Sequence, residues 1–439
     1  MRKIILSILL SITLLSMVAQ DTVKTYWSNK ALMSEGVKSK GKEEGEWKYY
    51  FKNGNLWTIG SYENGEKIGE WKVFYEDGKQ WQLYQLPNGT FEGWYNSGQV
   101  EMKGDMKNGK RDGEWVFYHP NGLLFKKVNY LNDSIHGHVK EYFDDGNLYF
   151  DGYYDNGALH GYARWYTRTG HLEMEGKSIR DLQDSTWIFY NENGKIGSKG
   201  NFKKGLQDGE WIYYYDNGKV WKRGQYKEGK RTGMWQAWFE TGKLQRKGAF
   251  VNDKEEGFWQ QWLENGQLAD EGYFKEGLMH GHWKGYYPNG KIKYDMKYAN
   301  DAKHGFYHYW YENGRKKSEG KYNKGYQTGK WKEYAPSGNL FETGNYNAGM
   351  KNGKWTFYDV RGTMMRMQNF VNDVAEGTFI EYYPNGKKQM EGNYKNRMKH
   401  GRWNYWNANG KLIYSVDFMN NRMIKVNLNK ISANVPTPF

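Results

Sequence analysis

Aromatic and glycine positions recur along this chain at a fixed spacing. If the glycine of a recurring Gly-x-Trp phrase is position 0, aromatic residues follow at +2 in most copies, at +5 in all copies and usually again at +17, and position +9 is always glycine. The position-0 residues are Gly45, Gly69, Gly89, Gly113, Gly137, Gly161, Ser185, Gly209, Gly233, Gly257, Gly281, Gly305, Gly329, Gly353, Gly377 and Gly401. Fourteen of these fifteen steps are 24 residues long, and the step from Gly69 to Gly89 is 20. Self-similarity at a fixed period is typical of repeat architectures, so the sequence predicts sixteen copies of one structural unit.

The residues around position +9 predict that each repeat is a β-hairpin. Position +8 is usually Asn or Asp, and position +7 is proline in four repeats. Proline favours the second position of a type I turn, and glycine then takes the left-handed conformation that closes a hairpin with a bulge. On that register position +5 faces +11, which is often aliphatic, as at Val220 and Leu244. A second turn is expected near +20, as at Gly229 and Asp253.

Hairpins that follow one another in this way predict an all-β fold. Positions +2 and +5 have opposite parity, so their side chains should project from opposite faces of the sheet. We therefore expect an elongated, twisted antiparallel sheet or open solenoid of about sixteen 24-residue hairpins. A half repeat, EGVKSKGKEEGEW, precedes the first full repeat, and the segment from Tyr414 to Asn429 is expected to cap the other edge.

The first twenty residues, MRKIILSILLSITLLSMVAQ, have the pattern of a secretory signal peptide: a basic start, an apolar run and a small-residue site near Ala19. The apolar run is shorter than the roughly 20 residues that span a bilayer, so cleavage is favoured over anchoring. The predicted organisation is a signal peptide over residues 1–20, a leader over 21–35, a repeat array over 36–419, and a C-terminal cap and tail over 420–439. The mature protein is expected to be exported, in the periplasm, on the outer surface or secreted.

Composition supports a folded chain without a thick aliphatic core. Aromatic residues make up 18% of the chain, yet the mean hydropathy is -1.00. Because there is no cysteine, disulfide bonds are excluded. The net charge of +14 comes from Lys and Arg that alternate with Glu and Asp, which favours a solvated surface. Attraction to an anionic lipid or envelope polymer stays open, whereas export makes nucleic acid an unlikely partner.

The repeat motif resembles a known family. It reads G-x-W-x-x-Y-x-x-N-G-K, followed by glycine at +15 and the phrase G-x-Y-x-x-G, as at residues 224–229. This motif closely resembles the variant form of the MORN (membrane occupation and recognition nexus) repeat, over roughly residues 36–418. The resemblance implies a sheet of hairpins and a non-enzymatic interaction role, and it fixes no ligand. Bacterial relatives are often labelled antitoxins, but an export signal suits that role only if the toxin is also exported.

Sequence motifs that could carry chemistry have simpler interpretations. The phrases GQYKEGKR at 224–231 and GDMKNGKR at 104–111 nearly match a phosphate-binding loop, but Arg replaces the hydroxyl residue and no helix follows. Five histidines directly precede position 0, where we expect the inter-hairpin turn: His136, His160, His280, His304 and His400. Copies in neighbouring repeats would lie about 9.6 Å apart, too far to share a metal ion. The sequence therefore predicts no catalytic residue, no cofactor, no metal site and no enzyme activity.

The aromatic rows are the strongest candidates for a binding surface. They either pack the sheet or, on a face that nothing covers, bind sugars, a protein or a lipid head group. The candidate residues are Trp211, Trp235, Trp238, Trp259, Trp262 and Trp283. The sequence thus predicts an exported, non-catalytic repeat scaffold that binds a protein or a cell-envelope component, such as a polysaccharide or lipid head group. The alternative is an antitoxin-like inhibitor of a protein toxin.

Overall fold

The structure, a computed structural model, describes residues 20–428 as two compact units that divide after Leu206. Every regular element among the described residues is a β-strand. Within each unit the successive strands pair antiparallel with their neighbours along the chain. The predicted all-β fold of hairpin repeats is therefore confirmed. The predicted signal peptide, apart from Gln20, and the tail from residue 429 lie outside the described residues.

The strands are numbered in chain order. The N-terminal unit contains β1 Gln20–Tyr26, β2 Leu32–Ser39, β3 Lys42–Tyr50, β4 Leu56–Glu63, β5 Glu66–Phe74, β6 Gln80–Leu86, β7 Gly89–Trp94, β8 Val100–Lys107, β9 Lys110–Tyr118, β10 Leu124–Leu131, β11 Ser134–Tyr142, β12 Leu148–Asp155, β13 Ala158–Tyr166, β14 Leu172–Ile179, β15 Leu182–Tyr190 and β16 Ile196–Lys203. The C-terminal unit contains β17 Leu206–Tyr214, β18 Val220–Lys227, β19 Lys230–Trp238, β20 Leu244–Val251, β21 Lys254–Trp262, β22 Leu268–Lys275, β23 Leu278–Tyr286, β24 Ile292–Ala299, β25 Ala302–Trp310, β26 Lys316–Asn323, β27 Tyr326–Tyr334, β28 Leu340–Asn347, β29 Met350–Tyr358, β30 Met364–Val371, β31 Val374–Tyr382, β32 Lys388–Lys395, β33 Met398–Trp406, β34 Leu412–Met419 and β35 Arg422–Leu428.

The turn at position +9 has the predicted geometry. In the repeat that starts at Gly209, the Gly218 amide donates to the Tyr215 carbonyl at 2.8 Å, and Gly218 has a φ of 86°. Tyr214 pairs with Val220, so position +5 does face +11. This arrangement is a type I turn closed by a left-handed glycine.

The second turn joins consecutive hairpins at positions +19 and +20. Glu276 and Gly277 occupy it in one repeat, with φ values of 52° and 84°, and Lys275 pairs with Leu278 across it. Two central residues with positive φ match the right-handed twist of adjacent strands. The predicted turn near +20 is confirmed.

Position 0 proved to be a bulge inside a strand rather than part of this turn. Gly257 lies within β21 with a φ of 71°, and the pairing of β20 with β21 shifts register just beyond it. The prediction that five histidines lie in the inter-hairpin turn is therefore wrong. They lie inside strands, directly before the bulged residue: His136, His160, His280, His304 and His400.

One face of the sheet is closed by tryptophan. Trp235 and Trp259 have exposed fractions of 6% and 3%, and Phe250 at position +17 lies between them with ring centroids 6.0 and 5.1 Å away. The near-perpendicular rings form a continuous edge-to-face row, a favourable aromatic geometry. The Trp259 indole Nε1 donates to the carbonyl of Ala249 at 3.1 Å, which ties each repeat to the one before it.

Glycine at position +15 makes room for these indoles. A Cβ placed on Gly248 would overlap the Trp259 ring, and one on Gly272 would overlap Trp283. Cations cover the row from outside, with Arg246 Cζ 4.1 Å from the Trp259 ring centroid. The tryptophan face is thus packed and covered, and the opposite face carries positions +1, +3 and +5.

Candidate functional site

The structure separates the six tryptophans predicted as a binding surface. Four of them, at position +2, belong to the closed face and have exposed fractions of 6% or less: Trp211, Trp235, Trp259 and Trp283. Trp238 and Trp262, at position +5, lie on the opposite face and are half-buried. The predicted residues therefore do not form one surface, and only the second group lies on the open face.

A row of side chains crosses the strands on that open face of the C-terminal unit. It consists of residues at +1 and their cross-strand partners at +16, and we call it the +1/+16 row. From β19 to β28 its pairs are Met234 with Ala249, Phe258 with Tyr273, His282 with Lys297, Phe306 with Lys321, and Lys330 with Asn345. The remaining pairs of the row are Glu210 with Gln225, Lys354 with Asn369, Thr378 with Asn393, and Arg402 with Asp417.

The first part of the +1/+16 row is apolar and exposed. Met234, Phe258 and Tyr273 have exposed fractions of 57%, 43% and 48%. The Phe258 and Tyr273 rings are in contact, with centroids 5.1 Å apart. Large apolar side chains that lie together on a surface indicate an interaction site more strongly than scattered ones.

Trp238 and Trp262 lie on the same face, four residues along their strands from Met234 and Phe258 and beyond Gln236 and Gln260 at position +3. The Arg223 guanidinium carbon lies 5.3 Å from the Trp238 ring centroid, and the Lys247 ammonium lies 5.4 Å from that of Trp262. Exposed cation–π contacts of this kind are worth about 0.5–1 kcal/mol and hold long side chains against the rings. The surface therefore combines Trp, Tyr, Phe, Met and Arg, the residues that are enriched at protein interfaces.

The second part of the +1/+16 row is cationic. Lys297, Lys321 and Lys330 are exposed, and none has a carboxylate partner among the described residues. Lys297 lies over the Phe306 ring at 5.2 Å. Beside Phe306 and Lys321 the surface forms a depression of about 410 Å³.

The acidic side chains of this face are engaged by local partners. Burial alone would raise the pKa of Glu319, but hydrogen bonds from Lys316, Tyr334 and Lys332 outweigh it and lower the pKa to about 2. His282 pairs with Asp295. The cations of the row therefore dominate the charge that an approaching ligand meets.

The open face of the N-terminal unit has different chemistry at the same positions. Position +1 is glutamate at Glu46, Glu70 and Glu114, and each glutamate pairs with a lysine at 2.9–3.0 Å. Exposed aromatic residues also lie on this row in the N-terminal unit, at Tyr153 and Tyr162, so the C-terminal unit differs in its Met234 and Phe258 and in the lysines that follow them. Sequence reasoning missed this difference because the aromatic rows at +2 and +5 dominated the pattern, although aromatic residues also recur at +1 in Phe258 and Phe306.

No group of three or more His, Cys, Asp or Glu side chains in the described part of the chain could hold a metal ion. The near-matches to a phosphate loop are explained by the fold. Gly224 faces the Trp235 ring, and Gly229 lies in the second turn with a φ of 78°. Within residues 20–428 there is also no helix with the length and hydropathy needed to cross a membrane.

Comparison with known families matches the repeats. The sequence profile described as "MORN repeat variant" matches residues 43–64, 111–132, 135–156, 183–204, 207–228, 231–252, 279–300, 327–348 and 375–396. Each match covers one hairpin, from just before position 0 to the second turn. Phe258, Tyr273 and Phe306 lie outside the matched ranges, in repeats that nevertheless have the same hairpin structure.

A search of curated proteins found no match to this chain. Among solved structures, the crystal structure of TcdB2-TccC3-TEV aligns over 92% of this chain and 24% of its own, with 11% identity and a TM-score of 0.15. The crystal structure of TcdB2-TccC3-Cdc42 aligns over 91% of this chain and 26% of its own, with 9% identity and a TM-score of 0.12. The chain spans about a quarter of the length of these structures.

Proposed function

Because this chain belongs to the family of MORN repeat variants, we propose that it is an exported, non-catalytic scaffold that binds a protein partner through the apolar part of its +1/+16 row. The observation that carries the proposal is the exposure of Met234, Phe258 and Tyr273 on the face that also carries Trp238 and Trp262. The packed tryptophan row on the opposite face stabilises the sheet and leaves this face free for binding.

The chemistry of the patch supports a protein partner. Aromatic side chains present large contact areas at a low cost in conformational entropy, and methionine adapts its shape to the partner. Interface energy is usually concentrated in a few such residues near the centre of the patch. Phe258 and Tyr273, which already contact each other, are the expected centre.

The engaged carboxylates favour binding over catalysis. General acid–base chemistry needs a group within hydrogen-bond reach of substrate and free to exchange a proton. Asp295 is paired with His282, and Glu319 already accepts hydrogen bonds from three donors. These acidic groups on the open face are therefore better suited to orienting their neighbours.

Export rests on the signal-peptide pattern of the first twenty residues. Its test is the N-terminal sequence of the mature protein purified from the source cells. We expect the mature chain to begin near residue 20 and to be found outside the cytoplasm. An uncleaved signal peptide on protein found in the cytoplasm would contradict export, but it would not affect the proposal about the binding surface.

The binding proposal is tested by site-specific photo-crosslinking. A photoreactive phenylalanine analogue at position 258 should crosslink a protein from an envelope fraction, whereas the same analogue at position 114 in the N-terminal unit should not. Both are +1 positions, and both native side chains are exposed. Excess unlabelled protein should abolish the crosslink, and excess of the Phe258→Ser, Tyr273→Ser double variant should not.

Equal crosslinking from both positions would contradict the proposal, as would crosslinks to non-protein material alone. The identity of the partner separates the scaffold from the alternative role. A single small partner that is toxic when produced alone would favour an antitoxin-like inhibitor, and any other protein partner would favour the scaffold.

A further inference from the structure

The depression beside the cationic part of the +1/+16 row lies between three strands. Phe306 and His308 of β25 form one wall, and Lys330 and Lys332 of β27 form the other. The floor is the segment 319–321 of β26. The depression has a volume of about 410 Å³, within the ~300–1,000 Å³ that small-ligand sites occupy.

The walls differ in chemistry. The Phe306 and His308 rings are stacked with centroids 5.6 Å apart and form an aromatic wall, with Lys297 over the Phe306 ring at 5.2 Å. Across the floor, Lys321 and Lys330 present ammonium groups that have no carboxylate partner among residues 20–428. A ligand that fills the depression would meet an aromatic wall on one side and positive charge on the other.

The carboxylate of the depression is already occupied, which leaves the His308 ring as the other side chain of the lining that can accept a hydrogen bond. Glu319 is its acidic residue, and its carboxylate accepts hydrogen bonds from Lys316 at 2.6 Å, Tyr334 at 2.7 Å and Lys332 at 3.0 Å. The lining therefore has donors to offer and little acceptor capacity left. Such a lining selects ligands that carry acceptors, and above all a negative charge.

The backbone around the depression is not free to bind a peptide strand. β25 and β27 pair with β26 along its length, and their outer edges pair in turn with β24 and β28. Extended peptides that bind sheets usually add to a free strand edge through main-chain hydrogen bonds. A ligand here must be recognised by side chains alone.

A carboxylated sugar meets all these conditions. The C–H groups on one side of its ring can pack against Phe306 and His308, and its carboxylate can lie between Lys321 and Lys330. We propose that this depression binds a uronate residue of an acidic polysaccharide. The site is separate from the apolar patch at Phe258, and it does not depend on the protein-binding proposal.

The proposal is tested by calorimetric titration of the full chain with tetragalacturonate. We expect saturable binding that weakens at least ten-fold in the Lys321→Gln, Lys330→Gln double variant, because each lysine supplies a charge-assisted hydrogen bond. Phe306→Ala should weaken binding several-fold and leave its salt dependence unchanged, because it removes apolar contact and no charge.

The matched control is the Lys227→Gln, Lys275→Gln double variant. These two lysines are exposed beside second turns of the same unit, so the variant makes the same change in net charge away from the depression. It should bind tetragalacturonate as the native chain does. Far-ultraviolet circular dichroism should be identical in all variants, which separates loss of the site from loss of the fold.

Three results would overturn the proposal. The first is no tetragalacturonate binding by the native chain, and the second is equal loss in the two double variants. The third is equal or tighter binding of a glutamate tetrapeptide or a thymidine oligonucleotide, which would indicate a general anion surface. Crosslinking at position 258 is unaffected by each of these results, so the two proposals fail independently.

Discussion

At the scale of single residues, tryptophan and glycine are complementary across neighbouring repeats. Where position +15 is glycine, the next position +2 can hold an indole, as with Gly272 and Trp283. Where +15 carries a side chain, the next +2 residue is not tryptophan: Tyr84 is followed by Phe91, Val128 by Val139, Met296 by Tyr307, and Gln368 by Phe379. The available volume therefore decides which residue each repeat tolerates.

The Gly272→Ala substitution should destabilise the C-terminal unit. The new methyl group would overlap the Trp283 ring, which is 3% exposed and has little room to move. Overpacking a rigid core site costs about 3 kcal/mol. Chemical denaturation, monitored by tryptophan fluorescence, measures this loss in the free energy of unfolding. The Gly93→Ala variant is the control, because the tightest contact of its methyl group would be with the flexible Met102 side chain at 3.2 Å, while Phe91 and the Trp81 carbonyl would lie at ordinary contact distance; its effect should stay below about 1 kcal/mol.

Two glutamates should give opposite pH dependence. Burial and the facing Glu342 raise the pKa of Glu333 from 4.5 to about 7, whereas hydrogen bonds lower that of Glu319 to about 2. A raised folded-state pKa means that stability is lost as the pH rises from about 4.5 through 7. The lowered folded-state pKa of Glu319 means that stability is lost as the pH falls from about 4.5 towards 2.

Glu333→Gln should therefore stabilise the protein by about 2 kcal/mol at pH 8 and have little effect at pH 4.5. Glu319→Gln should destabilise it by a similar amount at pH 7, because it leaves Lys316 and Lys332 without their partner. Denaturation midpoints across this pH range measure both effects. If both variants changed the free energy of unfolding in the same direction at neutral pH, the environments assigned to Glu333 and Glu319 would be contradicted.

At the scale of the element, each repeat is defined by three backbone features: the turn at +9, the turn at +19 and +20, and the bulge at position 0. The two turns were predictable because Asn-Gly and related pairs specify their own local conformation. The bulge was not, because its positive φ follows from cross-strand register, as the shift beyond Gly257 illustrates. A lone glycine within a strand pattern was the available signal, and it was interpreted as part of a turn.

Ser185 offers a direct test of the bulge. It is the one position-0 residue that is not glycine, and it keeps a φ of 60°. Ser185→Gly should stabilise the N-terminal unit by about 1 kcal/mol, because left-handed backbone is costly for a residue with a Cβ. The reciprocal Gly257→Ala should destabilise the C-terminal unit by a similar amount, since its methyl group would meet no atom within 4 Å and only strain remains. Equal denaturation midpoints for both variants and the native chain would contradict this role.

The binding surface was less predictable than the fold. Aromatic residues at +2 and +5 indicate aromatic side chains on both faces, and periodicity alone does not decide which face is closed. The glycine at +15 decides which face is closed, because it leaves room for the indole at position +2 of the next repeat. This relation can be recognised only when the neighbouring strands are known. Trp238 and Trp262 were placed on the open face only once that register was known.

At the scale of the whole molecule, the repeats divide two tasks between the faces of the sheet. Tryptophans at +2 bury apolar area between neighbouring repeats, as expected when stability is a sum of nearest-neighbour contacts. Position +1 varies freely, as Glu46 and Tyr162 in the N-terminal unit and Glu210, Phe258 and Lys330 in the C-terminal unit illustrate. The packing face specifies the fold, and the variable face is available to specify the partner.

Hydroxyl-radical footprinting of the free protein tests the closed tryptophan face most directly, because tryptophan occurs both buried at +2 and exposed at +12 and serves as its own control. Trp57, Trp81 and Trp221 at position +12 have exposed fractions of 42%, 36% and 42%, whereas Trp235 and Trp259 have 6% and 3%. The three exposed tryptophans should be oxidised several-fold faster than the buried pair, with Phe258 and Tyr273 also modified rapidly. Equal oxidation rates at positions +2 and +12 would contradict the closed tryptophan face.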